Sequence, residues 1–330
     1  MRINSPGITS SQFINTRTTL PSAQGGVITS DDNYFYHTFT SNGTLTVSTS
    51  ENTNYLMVAG GGSGGTGTFA GGGGAGGLIL GSVFLEVGTY TITIGAGGPS
   101  GSNGTSTELY LPVYSDTIVA QGGGRGGNSY AWNSSDAGQN GGSGGGGPSV
   151  YGSYGTTAPG SSPTLAFGYY VQGNSGGYGM SFSSGAYSAG GGGGWSTPGL
   201  GATRAAAGRG GAGIELTDWG LATNTGEYSE SYYDYTGGGG LIQDGVPRYY
   251  YGGGGGGGLL LESGSAISRG ASGLGGGGLG RYQANSGIGN AEPENGIANT
   301  GGGGGGGSSG SNGVGGSGIF IVRYAKKQRQ

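Results

Sequence analysis

Apolar and polar positions along this chain follow two textures. In the first, Tyr34, Tyr36, Thr38 and Thr40 alternate with Phe35, His37 and Phe39, which is the two-residue period of a β-strand. Ser41-Asn42-Gly43 is a turn signal, and Leu45 and Val47 continue the alternation on a return strand. Residues 54–59, NYLMVA, read as a buried strand that runs into glycine. Stretches 78–80, 82–87 and 89–94 predict three more short strands, and 319–324, IFIVRY, a last one. No stretch carries a helical period with caps, so almost no helix is expected.

The second texture is glycine. Runs fall at 60–65, 71–77, 122–127, 141–147, 190–194, 208–213, 237–240, 252–258, 275–280, 301–307 and 313–318. Small guests interrupt them, with single larger ones such as Arg125 and Arg209 expected on the outside. A Gly/Ser tract can be a flexible linker. It can also be an extended helix with a three-residue turn and a rise of ~3.1 Å per residue, like polyproline II. Without Cβ atoms such backbones can approach on every side, and each N–H and C=O can bond a neighbour. Ordering glycine costs about 0.5–1 kcal/mol per residue more than ordering alanine. Only dense pairing among many runs offsets that, and eleven runs separated by aromatic segments favour a packed bundle over a linker. The expected fold is all-β and irregular: a β-rich base plus a stacked polyglycine II bundle with long surface loops. The divisions are an N-terminal attachment segment at 1–30, a β-rich part with the first runs at 31–119, a bundle with aromatic loops and a closing strand at 120–324, and a basic tail at 325–330.

Composition narrows the class. Glycine supplies 92 of 330 residues but proline only 10, which excludes collagen. There is no cysteine, so no disulfide, thiolate metal site or cysteine nucleophile. A formal charge of −4 argues against general binding to nucleic-acid phosphates. Residues 1–11 lack the apolar core of a secretory signal, and no stretch approaches the ~20 apolar residues of a membrane span. An extracellular role would then need another carrier, such as a virus particle released by lysis from the cytoplasm where the chain is made. Lys326 and Lys327, the only lysines, make the tail either a solvated end or an electrostatic dock.

If the runs form a nearly featureless lattice, recognition falls to the segments between them. The chain has 22 tyrosines, 8 phenylalanines and 3 tryptophans, and those segments are rich in them. Tyrosine beside Ser, Gly and Asn is the composition of adaptable binding loops, and its ring can cover the apolar face of a sugar while its tip hydrogen-bonds. The candidate contacts are Tyr130, Trp132, Tyr151, Tyr154, Tyr169, Tyr170, Trp219, Tyr228, Tyr232, Tyr233, Tyr235, Arg248, Tyr249 and Tyr250. Aromatics next to a run, such as Tyr251 and Trp195, are expected to cover the bundle instead. Residues 214–236 hold Glu215, Asp218, Glu227, Glu230 and Asp234 with no Lys or Arg. No pair among them stands out as a glycosidase couple, and solvation of an acidic loop is the simpler reading. G-x-G-x-x-G matches arise by chance at this glycine content, and no phosphate loop with its lysine is present. His37 sits in a strand pattern and is expected to be structural. Asp31-Asp32 read as turn residues. No cofactor, metal or catalytic set is expected.

The order of motifs resembles the glycine-rich domain proteins of bacteriophage tail fibres and related receptor-binding proteins. YFYHTFTSNGTLTV (34–47), YLMVAGGGSGG (55–65), GAGGLILGSVFLEVGTYTITIGAGG (74–98), NGTSTEL (103–109), IVAQGGGRGG (118–127), GRGGAGI (208–214), ANTGGGGGGG (298–307) and GGSGIFIVRY (315–324) carry it. The alternation also resembles tip adhesins in which a polyglycine II sandwich presents variable loops. The resemblance implies a non-enzymatic virion adhesin that binds a bacterial surface glycan or outer-membrane protein. Its partners would be other fibre proteins or itself as a homotrimer, with no nucleic acid and no membrane insertion. A decoration or fibre-joining protein without a host ligand, and an ice-binding or surface-coating protein, are the alternatives.

Overall fold

The period-two segments pair as their alternation requires, yet across two facing sheets. The computed structural model describes residues 20–131, 134–149, 172–182, 186–203, 206–216, 249–261, 269–284, 291–307 and 311–327. Ten strands build a sandwich: β1 Ala23–Gln24, β2 Val27–Ser30, β3 Tyr34–Phe39, β4 Gly43–Val47, β5 Glu51–Val58, β6 Leu78–Leu85, β7 Gly88–Thr93, β8 Thr107–Leu111, β9 Asp116–Ala120 and β18 Ile319–Ala325. One sheet has the order β1-β4-β7-β8-β9 and the other β2-β3-β18-β5-β6. Neighbours in both are antiparallel, with the C-terminal strand central: Val322 lies opposite His37 on one side and Tyr55 on the other.

The core between the sheets takes Phe35, Phe39, Met57, Phe320 and Val322 from one and Leu45, Tyr90, Ile92, Leu109 and Ile118 from the other. The outer face of the second sheet is also buried, with Tyr36, Leu56, Leu78 and Ile321 packed on Leu216 and Tyr251. Two buried faces explain why NYLMVA and IFIVRY are nearly continuous apolar runs rather than alternating ones. The outer face of the first sheet exposes Thr44, Thr46, Thr89 and Thr91.

Two strand expectations change. The segment 43–47 is not the return strand of a hairpin with 34–39, since β4 pairs with β1 and β7. Phe39 and Leu45 both face the inter-sheet core, so the turn at 41–43 carries the chain from one sheet to the facing one. Stretches 78–80 and 82–87 are not separate strands; 78–85 is one strand, β6. Gly81 lets it pass under the Tyr55 ring, because a Cβ there would meet Tyr55 Oη at 2.4 Å.

Below the sandwich the glycine runs form a lattice. Ten of the eleven lie among the described residues; 237–240 lies outside them. The 71–77 run shows the rule. Gly71, Gly74 and Gly77 donate to the carbonyls of Gly127, Gly124 and Gln121; Gly72 and Ala75 donate to Gly190 and Gly193; Gly73 and Gly76 donate to Gly304 and Gly301. Its carbonyls accept from Gly65, Gly62 and Ala59 on one side, Gly146 and Ser143 on a second, and Gly255 on a third. Every third residue therefore faces the same neighbour, and the run has six neighbours, which is the hydrogen-bonding of polyglycine II. Runs 60–65 and 252–258 repeat the rule: Gly61 and Gly64 donate to Gly316 and Gly313, and Gly254 and Gly257 to Gly211 and Gly208. The two layers interleave along the sequence, since the 71–77 run at the lattice centre lies between β5 and β6.

Glycine is required here by contact. A Cβ on Gly73 would lie 2.2 Å from Gly62 O, one on Gly192 1.9 Å from Gly73 O, and one on Gly254 2.2 Å from Gly192 O. At two corners next to the sandwich, Gly252 and Gly301, φ is also positive, at 73° and 69°. The guests Ser63, Ala75 and Ser143 are fully buried. Arg125 is not on the outside as expected: its side chain is 14% exposed, bonds Gly126 O through Nη1 and lies 3.6 Å from Asp136.

Around the glycine runs, mixed segments complete the lattice. Residues 102–105, 139–140, 172–179, 197–202, 270–273 and 291–297 bond the runs from the periphery. There, side-chain amides take the place of peptides. Asn103 Oδ1 accepts from the Arg125 N–H at 2.8 Å, Asn295 Oδ1 from the Val314 N–H at 3.0 Å, and Gln172 Oε1 from the Gln121 N–H at 2.6 Å. Asn312 and Asn174 donate to Gly64 O and Trp195 O.

Candidate functional site

The lattice fixes where each intervening segment leaves and returns. Residues 59, 77 and 121, residues 78 and 172, residues 195, 252 and 300, and residues 76 and 301 are bonded at the level next to the sandwich. Residues 65, 70, 71, 127, 146, 189, 258 and 307, residues 69 and 149, and residues 281 and 306 are linked in the same way at the opposite, far level. Chain direction alternates between the levels. The segments 66–70, 128–137, 180–188, 203–206, 259–269, 281–291 and 307–311 are therefore all rooted at the far level. The segment after Ser149 departs there too, and returns at Gln172 beside the sandwich. Residues 217–248 leave from Leu216 and return at Tyr249, beside the sandwich.

Short strands hold these roots: β10 Ser129–Ala131, β11 Ser134–Ser135, β12 Met180–Phe182, β13 Ala186–Ser188, β14 Ile214–Leu216, β15 Tyr249–Tyr251, β16 Leu259–Leu261 and β17 Tyr282–Ala284. At the far level β12-β13-β16-β17 form one small sheet, antiparallel except for the β16–β17 pair. Beneath it the buried rings of Phe69 and Tyr187 stack with centroids 4.5 Å apart. Ion pairs add to the roots. Arg281 reaches Glu292 at 3.7 Å, Ser311 Oγ donates to Glu292 at 2.7 Å, and Arg269 reaches Glu294 at 3.3 Å. Tyr178 lies with its ring over the backbone of Gly201 and stays 45% exposed, next to exposed Leu200.

Both described chain ends lie at the other pole. β7 and β3 run toward the lattice, so β4 and β18 run away from it, and the pairing of Ala23 with Val47 sets Leu20 at the far end of the sandwich. The Lys326 N–H bonds Asn33 O and Lys327 pairs with Glu51 at 2.8 Å there.

The candidate contact residues divide accordingly. Tyr130 lies in β10, at the far level, and Tyr249 and Tyr250 lie in β15, beside the sandwich. Trp132, Tyr151, Tyr154, Tyr169, Tyr170, Trp219, Tyr228, Tyr232, Tyr233, Tyr235 and Arg248 lie outside the described residues. Of the described residues that flank them, Ala131, Ser134 and Ser149 lie at the far level, and Gln172, Leu216 and Tyr249 lie beside the sandwich. Tyr251 is fully buried, and Trp195 is half-buried with its Nε1–H on Leu78 O at 3.1 Å. Both pack over the outer sheet face. Sequence reasoning missed the asparagine caps, for which the signal is an Asn or Gln placed within two residues of a short glycine motif.

His37 is buried between the sheets, its Nδ1 2.7 Å from Gly25 O and its Nε2 3.0 Å from Tyr324 Oη. Burial pushes its imidazole below the ordinary histidine value, opposed by the Gly25 carbonyl. On the other face of the strand, burial and then the hydrogen bond to Asp31 push the Tyr36 phenol up to about 12.

Compared with known proteins, residues 39–325 match a family model described as a glycine-rich domain. No curated protein matches the chain.

Proposed function

The chain belongs to the glycine-rich domain family, and from that premise we propose that it is a non-enzymatic receptor-binding protein of a bacteriophage particle. The sandwich end, with residues 1–30 and the C-terminal tail, mounts on a fibre or virion partner. The far level presents aromatic segments to a bacterial surface glycan or outer-membrane protein. The observation that carries this reading is polarity: both described chain ends lie at one pole, and seven of the intervening segments root at the other. A lattice held mainly by backbone bonds supports exchange of those segments, provided that the side chains at their roots, such as Phe69, Tyr187 and Arg281, are kept. The protein would need no cofactor, and would travel on the particle.

A second reading, a fibre-joining or decoration protein, gains from the placement of 217–248. That acidic, tyrosine-rich segment roots beside the sandwich, at the mounting side. The two readings separate in one experiment. Labelled protein is incubated with phage-susceptible and phage-resistant bacteria, alongside two variants. Trp132→Ala/Tyr151→Ala/Tyr154→Ala should lose binding to susceptible cells, and Tyr232→Ala/Tyr233→Ala/Tyr235→Ala should keep it. Equal binding to resistant cells, or full binding by the first variant, would overturn the receptor reading.

A further inference from the structure

The only histidine of the chain ties its N-terminal corner to its C-terminal strand. Gly25 C=O accepts from His37 Nδ1–H at 2.7 Å, which makes Nε2 the acceptor for the Tyr324 hydroxyl at 3.0 Å. The same hydroxyl accepts the Ala23 N–H at 3.1 Å. Residues 23–25 thus hang on a relay that works only with a neutral imidazole. The ring is stacked on Tyr324, centroids 5.6 Å apart, and has no exposed surface.

Protonation would make Nε2 a donor. Tyr324 Oη would then face the donors at Ala23 and His37, its own proton would have to turn to Ser22, and a cation would sit between the sheets. The elements packed around the ring offer little compensation. β18 brings Tyr324; β4 brings Leu45 and Val47; β2 pairs Ile28 opposite the ring. Oε1 of Glu51 on β5 is engaged by Ser22 Oγ and Lys327 Nζ, both at 2.8 Å. Asp31, Tyr36 and Arg323 interact on the opposite face of the sheet, and Lys326 lies over the Phe35 ring. Freeing residues 20–30 from the sandwich is the local way to bring the ring to water, because β1 has two residues and, among the described residues, β2 pairs only with β3.

We propose that His37 is an acid-released latch: neutral, it holds β1 and the Gly25-Gly26 corner onto the sandwich, and protonated, it frees that corner while the lattice stays closed. The segment it governs leads directly into residues 1–19.

The test is amide exchange on the full chain at pH 7.5 and pH 5.5, with protection corrected for the intrinsic pH dependence of exchange. An open corner takes up a proton at the ordinary histidine value of about 6.5, so protection of residues 22–30 should drop by up to about tenfold at pH 5.5. Protection of 71–77 should not change. His37→Gln, whatever its starting protection, should show no drop between the two pH values. Tyr324→Phe should weaken protection of 22–30 at both. Equal protection of 22–30 at the two pH values in the native chain, the same drop in His37→Gln, or a drop that extends to 71–77 would overturn the proposal.

Discussion

Replacing Gly192 by alanine separates a lattice from a linker by the size of the effect. In a flexible tract Gly→Ala leaves stability nearly unchanged, because it restricts the folded and the unfolded chain alike. In the lattice a Cβ on Gly192 would lie 1.9 Å from Gly73 O and 2.4 Å from Gly73 C. One backbone must move by about 1.5 Å to restore ordinary contact. Such a shift breaks bonds that now measure 2.8–3.0 Å: Gly192 N–H to Gly255 O, Gly72 N–H to Gly190 O and Ala75 N–H to Gly193 O. Two or three buried partners lost at about 1–3 kcal/mol each give roughly 2–9 kcal/mol. For a chain of this length that is a fall in Tm of roughly 3–13 °C. The control is Gly88→Ala, where an added Cβ meets nothing within 4 Å and Tm should stay or rise slightly. Thermal unfolding of both variants beside the native chain gives the answer. An unchanged or raised Tm for Gly192→Ala would refute the contact argument.

Other consequences follow from the polar groups. Burial raises the Tyr36, Tyr90 and Tyr324 phenols, Tyr36 to about 12. Between pH 10 and 12 the unfolded chain releases protons that the folded one keeps, so stability should fall with rising pH there, and denaturant titrations of Tyr36→Phe should show a shallower fall. Asn174→Ala removes bonds to Gly194 O and Trp195 O and should cost about 1–2 kcal/mol by the same titration. Replacing 262–268 with a Gly/Ser linker of equal length should leave Tm within about 2 °C, because the flanking run 252–258 is bonded through its backbone. A cooperative loss of folding in that variant would show that the segments, not the runs, carry stability.

The sandwich was legible wherever a strand has one wet face or two dry ones: 34–39, 54–58 and 319–324 each follow from period or from an unbroken apolar run. What the period does not encode is which strand neighbours which. Leu45 faces the core whether β4 pairs with β3 or crosses to the other sheet, so the corner at 41–43 could be mistaken for a hairpin. The runs were legible as a lattice because eleven glycine tracts have no use in one linker. Their neighbours were not, since glycine carries no side chain to specify a partner; specification comes from the guests and the caps. Asn103, Asn174 and Asn295 look like ordinary loop residues until their amides are seen standing in for peptides at the lattice edge. The candidate aromatics follow from composition and from distance to a glycine run. Neither encodes chain direction, so neither separates segments rooted at the far level from 217–248, whose flanking residues Leu216 and Tyr249 lie beside the sandwich.

The most direct test of the account is residue-resolved amide exchange across runs 71–77, 190–194 and 252–258 at neutral pH. With six bonded neighbours around 71–77, those amides should exchange only through global unfolding, as slowly as the central strand 319–325. Exchange of the same amides at the rate of an unstructured peptide, while β18 stays protected, would contradict the lattice.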